Sequence, residues 1–204
     1  MTDKTGATPR KRPRQSRSAA TYAAVLQAAA HILETRGLEA ANTNLIAEIA
    51  GVSVGSLYQY FPDKTAIFAE LIRSAERDAA QALESLARET IDLPFEVRLR
   101  LLIQAGVAQQ MTKPRLARIL DVLETEMPDD PELKASERRI LQSIFEILRD
   151  SGEAFAACVD ATTARDVLAI AKGMIDGASF AGETDAADLE RRVERAVLGY
   201  LRQA

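Results

Sequence analysis

The chain has 204 residues, 47% hydrophobic and 27% charged, which fits one or two small folded domains with their own core and excludes disorder throughout. A single cysteine excludes an internal disulfide and a cysteine-built zinc site, a single histidine leaves no His pair for a metal, and no apolar run reaches the roughly 18 residues of a membrane span. The net charge of −4 hides an asymmetry: residues 1–64 hold 8 Lys+Arg against 5 Asp+Glu, whereas residues 65–204 hold 18 against 25. Few aromatics and abundant Ala and Leu favour an all-helical fold.

Residues 1–17 read as a disordered basic arm, with Lys4, Arg10, Lys11, Arg12, Arg14 and Arg17 against Asp3, and with Pro9 and Pro13 interrupting any helix. Such an arm serves either to seek phosphates or a minor groove, with Arg12 and Arg14 foremost, or only to solubilise. No apolar segment follows its basic residues, so it is no secretory signal, and the expected compartment is the cytoplasm. Helical periodicity starts near Ser18, with Tyr22, Val25, Leu26, Ala29, Ala30 and Leu33 on one face, and ends before Gly37. The lone His31 in this helix reads as a structural or surface residue.

Next comes Asn42-Thr43-Asn44-Leu45-Ile46-Ala47-Glu48-Ile49-Ala50-Gly51-Val52-Ser53-Val54-Gly55-Ser56-Leu57-Tyr58-Gln59-Tyr60-Phe61. Asn42 or Thr43 caps a short helix that stops at Gly51, and Ser53 caps a second that runs to about Tyr60. Two short helices joined by a tight glycine turn form a helix-turn-helix. Ala47 is small enough for the helices to cross closely, and Gly51 tolerates a positive φ. Ile46, Ala50, Val52, Leu57 and Tyr60 fall where the pair buries side chains. Ser53, Val54, Gly55, Ser56, Tyr58 and Gln59 are left on the face that would enter a DNA major groove. Pro62 ends this helix and Asp63 caps the next, which runs from about 63 to 89 with Ile67, Phe68, Leu71, Ile72 and Ala75 on one side. Lys64 at its start either grips a phosphate or is a plain exposed lysine.

The string Ile46-Ala47, Ala50-Gly51-Val52-Ser53, Gly55-Ser56-Leu57-Tyr58, Tyr60-Phe61 and Lys64 resembles the signature of the TetR family of transcriptional regulators. That resemblance implies a homodimeric, all-α regulator. It would have a three-helix DNA-binding head at 18–64 and a ligand-binding and dimerisation body at 65–204. It also implies that Thr43, Tyr60 and Lys64 touch phosphates, while Ser53, Val54, Gly55, Ser56, Tyr58 and Gln59 line or touch base edges. Val54 stands where many members carry Lys or another polar residue, which turns that contact towards a thymine methyl. Ala41 and Leu45 also depart from common choices of the family.

The body shows amphipathic helices and no chemical motif. Pro94 opens one to about Met111, with Phe95, Leu99, Leu102 and Gly106 on one side. Pro114 begins another that runs to Glu126. Asp130 and Pro131 make an N-cap and first-turn pair for a helix to about Asp150. Residues 152–161 form a connector in which Cys158 reads as a small buried hydrophobe. Residues 163–181 are apolar or small on almost every face, which predicts burial all round. Residues 185–202 carry a clean apolar stripe. Together these two helices predict a four-helix dimer interface through Leu168, Ala171, Ile175, Leu189, Val193, Val197 and Tyr200, with a monomer core as the rival reading. The resemblance places an effector cavity among the middle helices. Phe68, Leu71, Leu102, Gln109, Leu120, Phe145, Met174 and Asp176 are its candidate lining, and their apolar bias points to a hydrophobic or amphipathic small molecule.

The expected partners are therefore a double-stranded palindromic operator, a small effector and a second copy, with no cofactor and no membrane. An all-helical enzyme finds no supporting motif: no HExxH, no Glu-x-x-His pair and no phosphate-binding glycine loop are present. A protein-interaction module without DNA binding is the remaining alternative.

Overall fold

The computed structural model describes residues 16–151 and 159–203, so the basic arm with Arg12 and Arg14 and the connector with Cys158 lie outside the described residues. Among the described residues the order is α1 (Ser16–Arg36), α2 (Thr43–Ile49), α3 (Val54–Tyr60), α4 (Lys64–Glu89), α5 (Phe95–Thr112), α6 (Pro114–Glu124), α7 (Pro131–Arg149), α8 (Ala161–Ala181) and α9 (Ala186–Leu201). Each predicted helix is present within a few residues of its expected ends.

The chain divides into two compact units. The first comprises the described residues up to Ala75 together with Lys113–Asp130, and the second comprises Glu76–Thr112 with the described residues from Pro131 onward. The stretch from 113 to 130, which the linear reading assigned to the body, thus packs with the head. The reason is apolar patterning: Leu116, Ile119, Leu120 and Leu123 of α6 recur at helical spacing and pack against the core of the first unit. That core is built from Val25, Ala29, Ile32 and Leu33 of α1, Ile46 and Ala47 of α2, Leu57 of α3, Phe61, and Ile67 and Phe68 of α4. Tyr22 stacks on Phe61 with ring centroids 4.8 Å apart and meets Tyr60 edge-on at 6.1 Å. Each fully buried Leu or Ile stabilises by about 1.5–3 kcal/mol.

Two polar devices also hold the first unit. At the junction of α1 and α6, Arg115 donates to the Thr35 carbonyl at 3.2 Å and Glu34 accepts the Leu116 N–H at 2.6 Å. On α4, Arg73 is 2% exposed and donates to Asp130 Oδ2 through Nε at 3.0 Å and Nη2 at 2.6 Å. Asp130, expected to cap α7, thus pairs with Arg73 across 57 positions, for which the sequence has no local signal.

The second unit has a core of Leu99, Ile103 and Val107 of α5, Ile140, Ile144, Ile147 and Leu148 of α7, Val167 and Ile175 of α8, and Leu189, Val193, Val197 and Leu201 of α9. Ala80 and Ala87 of α4 join it. Arg98 sits in this apolar register, 2% exposed, and donates to Asp150 at 2.9 Å and to the Ala87 carbonyl at 3.1 Å. A charge in an apolar stripe was the visible sign of it, since Arg98 falls between Phe95 and Leu102. Helix α8 begins with a capping box, in which Asp160 Oδ1 accepts the Thr163 N–H at 2.8 Å. No described helix is long and apolar enough to cross a membrane.

Candidate nucleic-acid interface

The helix-turn-helix of α2 and α3 is set by three residues. Asn42 caps α2, its side chain accepting the Leu45 N–H at 3.0 Å. Gly51 then takes φ +67, the left-handed conformation that glycine adopts without strain. Its N–H and that of Val52 bond back to Glu48 and Ala47 at 3.1 and 3.0 Å, which closes α2. Ser53 follows in extended backbone and caps α3, its Oγ accepting the Ser56 N–H at 3.1 Å. Ile46, Ala47 and Leu57 are buried under this crossing, as the spacing requires.

The remaining face of α3 is polar and open. Ser53, Gly55, Tyr58 and Gln59 are exposed, and Val54 and Ser56 are half-buried. Thr43 is half-buried at the first turn of α2, and its hydroxyl shares a hydrogen bond of 3.2 Å with the Tyr58 hydroxyl. The structure therefore brings the predicted residues of the two helices onto one surface. Lys64 is exposed at the first residue of α4, whose start is capped by Asp63 accepting the Ala66 N–H at 2.9 Å. Tyr60 is the exception. It is only 9% exposed and its ring is packed edge-on against Tyr22, the burial that its spacing predicts, so its ring belongs to the core and not to the open face. Its position at i+3 from Leu57 on the buried side of α3 is the physical reason.

The other predicted sites are arranged differently from expectation. Of the interface set, Leu189, Val193 and Val197 are 0% exposed and Ile175 is 7% exposed within the single chain, so they form its own core and leave no surface for a partner. Tyr200 donates to Asp166 Oδ2 at 2.6 Å, which ties α9 to α8 of the same chain. Leu168 and Ala171 are half-buried against that core. Helix α8 is not buried all round: Ala169, Lys172, Gly173, Gly177 and Phe180 are exposed, Phe180 by 56%.

The eight candidate effector residues are divided between the two cores. Phe68 and Leu71 are buried in the first, with Leu120 packed on it, whereas Leu102, Phe145 and Met174 pack on the second. Gln109 is exposed and Asp176 half-buried. Leu120 falls with the first because α6 packs with the head, and Phe68 and Leu71 because the start of α4 up to Ala75 does so too. The second unit also has a groove of about 440 Å³ between α4 and α7, lined by Glu84, Arg88, Ala135, Arg138, Arg139, Gln142, Ser143 and Glu146 and by none of those eight. There Arg139 donates to both Glu84 oxygens at 2.6 and 2.7 Å, and this hydrogen bonding holds the Glu84 carboxyl below its ordinary value.

Comparison with known proteins agrees with this geometry. The profile of the bacterial regulatory proteins of the tetR family matches residues 25–71, and that of the tetracyclin repressor-like C-terminal domain matches residues 94–201. The nucleoid occlusion factor SlmA of Edwardsiella ictaluri is 34% identical over 97 residues, 47% of this chain and 48% of that protein, so the chain matches about half the length of that relative. In fold the chain is similar to the fatty acid degradation regulator FadR of Bacillus halodurans, with a TM-score of 0.73 at 20% identity over 94% of this chain and 99% of that one. It is also similar to the transcriptional regulator FadR of Bacillus subtilis solved in complex with stearoyl-CoA, with a TM-score of 0.65 at 20% identity over 86% and 97% of the two chains. The second profile alone spans more than half of the sequence, and with the helix-turn-helix of α2 and α3 it places this chain in the TetR family of bacterial transcriptional regulators.

Proposed function

We propose that the protein is a sequence-specific DNA-binding repressor, released from a palindromic operator by a small effector. The observation that carries this reading is the exposed polar face of α3, held at a fixed angle to α2 by the left-handed Gly51. In this reading Ser53, Val54, Gly55, Ser56, Tyr58 and Gln59 face the major groove, with Val54 offering an apolar contact to a thymine methyl. Thr43 and Lys64 meet phosphates, and Arg12 and Arg14 of the arm add sequence-independent attraction. Between Thr43 and Asp63 the only charged residues are Glu48 and Asp63 itself, so charge attraction must come from the arm and Lys64.

Reading a palindrome requires two copies. The surfaces that α8 and α9 leave open, around Ala169, Gly173, Gly177, Phe180 and Gly199, are the proposed homodimer face. Cβ atoms added at Gly173, Gly177 or Gly199 would meet nothing within 4 Å in the single chain. The proposed effector is hydrophobic or amphipathic, which the stearoyl-CoA complex of the Bacillus subtilis neighbour supports. Within the second unit Leu102, Gln109, Phe145, Met174 and Asp176 remain its candidate contacts, and a co-crystal structure would place them. A DNA-bound regulator acts where the chromosome is, in the bacterial cytoplasm.

The test is a gel shift of the full chain against the DNA upstream of its own gene. Retardation that survives excess unrelated duplex supports the reading. No retardation even at low salt overturns it and favours an interaction module, for which the cation-free face of α3 is the supporting observation.

A further inference from the structure

Gly55 and Gln59 stand four residues apart on α3, one turn above the other on the same outer face, and both are exposed. The polar groups around them are already engaged within the chain. Ser53 Oγ accepts the Ser56 N–H and also shares a hydrogen bond of 2.8 Å with Ser56 Oγ. The Tyr58 hydroxyl is bonded to Thr43. The Gln59 amide has no partner among the described residues, and so presents a donor and an acceptor outward.

Gly55 has no explanation inside the chain. Its φ is not in the left-handed region, which only Gly37, Gly51 and Gly182 occupy among the described glycines. A Cβ there would meet nothing nearer than Ser53 Oγ at 3.9 Å, an ordinary contact. Glycine weakens a helix relative to alanine, and α3 has only 7 residues with which to offset it. The missing Cβ leaves open space on the outer face of α3, where another molecule can approach the backbone closely.

We infer that the Gly55–Gln59 edge is where the recognition helix comes closest to the bases, and that Gln59 specifies an A·T pair in each half-site. Adenine shows an N7 acceptor and an N6 donor in the major groove, the complement of a glutamine amide. The flat surface at Gly55, one turn before Gln59, lets the amide reach base-edge depth. This rests on the DNA-reading proposal and deepens it, from a face that meets DNA to one side chain that fixes one base pair.

The test compares the full wild-type chain with Q59A and G55A. Each is used to select duplexes from a randomised pool, and affinity for the wild-type site and thermal melting are then measured. Wild type should enrich a symmetric site. Q59A should select a site in which one A·T pair per half-site has become degenerate while the other positions persist, and it should bind the wild-type site about tenfold more weakly. G55A should melt at or above the wild-type temperature and still lose about tenfold in affinity, because an added methyl group stabilises the helix while blocking close approach. An unchanged selected sequence for Q59A, or unchanged affinity for G55A, overturns the inference while leaving the DNA-reading proposal intact. A G55A chain that melts below wild type also overturns it, since the glycine would then have an internal role. A wild-type chain that enriches no sequence overturns the DNA-reading proposal, and the inference with it.

Discussion

The carboxylate of Glu34, near the end of α1, accepts the backbone N–H of Leu116 in the first turn of α6 at 2.6 Å. Beside it, the Arg115 guanidinium returns a hydrogen bond to the Thr35 carbonyl at 3.2 Å. An anion sits at the start of one helix and a cation at the end of the other, so both charges favour the peptide dipoles they meet. Each also satisfies a backbone group that a helix end leaves without an intrahelical partner. Replacing Glu34 by Ala should lower the stability of the first unit by about 1–2 kcal/mol, the range of a partly exposed hydrogen bond to a charged group. Denaturant titration checks it, and Glu34→Gln should lose less because it keeps an acceptor.

Gly37 should be the least replaceable residue in this junction. Its φ of +85 is costly for any residue with a Cβ, by about 1–2 kcal/mol. The Arg115 guanidinium also occupies the place where that Cβ would go. Gly37→Ala is expected to destabilise more than the φ strain alone, and to do so less in an Arg115→Ala background. A double-mutant cycle followed by thermal melting measures the difference.

Arg73 and Asp130 make a buried pair, 2% and 9% exposed, with Glu70 beside Arg73 at 3.8 Å. Removing the cation alone leaves buried carboxylates without it. Arg73→Met should therefore cost about 3–5 kcal/mol, and the double change Arg73→Met with Asp130→Asn should cost less than the single one. Equilibrium unfolding of the three chains tests the order.

These contacts mark the limit of what could be read along the chain. The helix-turn-helix was legible because its determinants are local: Asn42 and Ser53 cap by reaching three residues forward, and Gly51 acts through its own φ. The helix ends were legible for the same reason. The placement of α6 was not, because whether Leu116, Ile119 and Leu120 pack on α1 or on α5 is decided by tertiary fit and not by spacing. The periodicity of Leu189, Val193 and Val197 marks a buried face without naming what covers it. In this chain the cover is its own core.

The N-cap of α8 gives an acid signature. The Thr163 backbone N–H, and after it the Thr163 hydroxyl, hold the Asp160 carboxyl below its ordinary value of 3.8. A carboxyl lowered in the folded chain contributes stability that is fully present above the unfolded value and is lost as pH falls through the folded one. Asp160→Asn should therefore match the wild type more closely at pH below 3.8 than at neutrality, and the gap between their melting temperatures should narrow on acidification. Melting curves across that range check it.

Lys64 is exposed at the start of α4, and its charge is the folded head's nearest positive one to the face of α3 in sequence. Lys64→Ala should weaken binding to all DNA sequences alike and reduce the slope of log affinity against log salt by about one. Titrations of operator and unrelated duplex at several salt concentrations measure both effects. A loss confined to the operator would assign Lys64 to a base.

The central claim is that two copies of α3 read one palindromic site, and hydroxyl-radical footprinting of the full chain on its upstream DNA tests it most directly. Two protected patches related by a dyad, spaced by about 10 base pairs or a multiple of that, are the predicted result. Uniform protection, or a single unpaired patch at saturating protein, would contradict it.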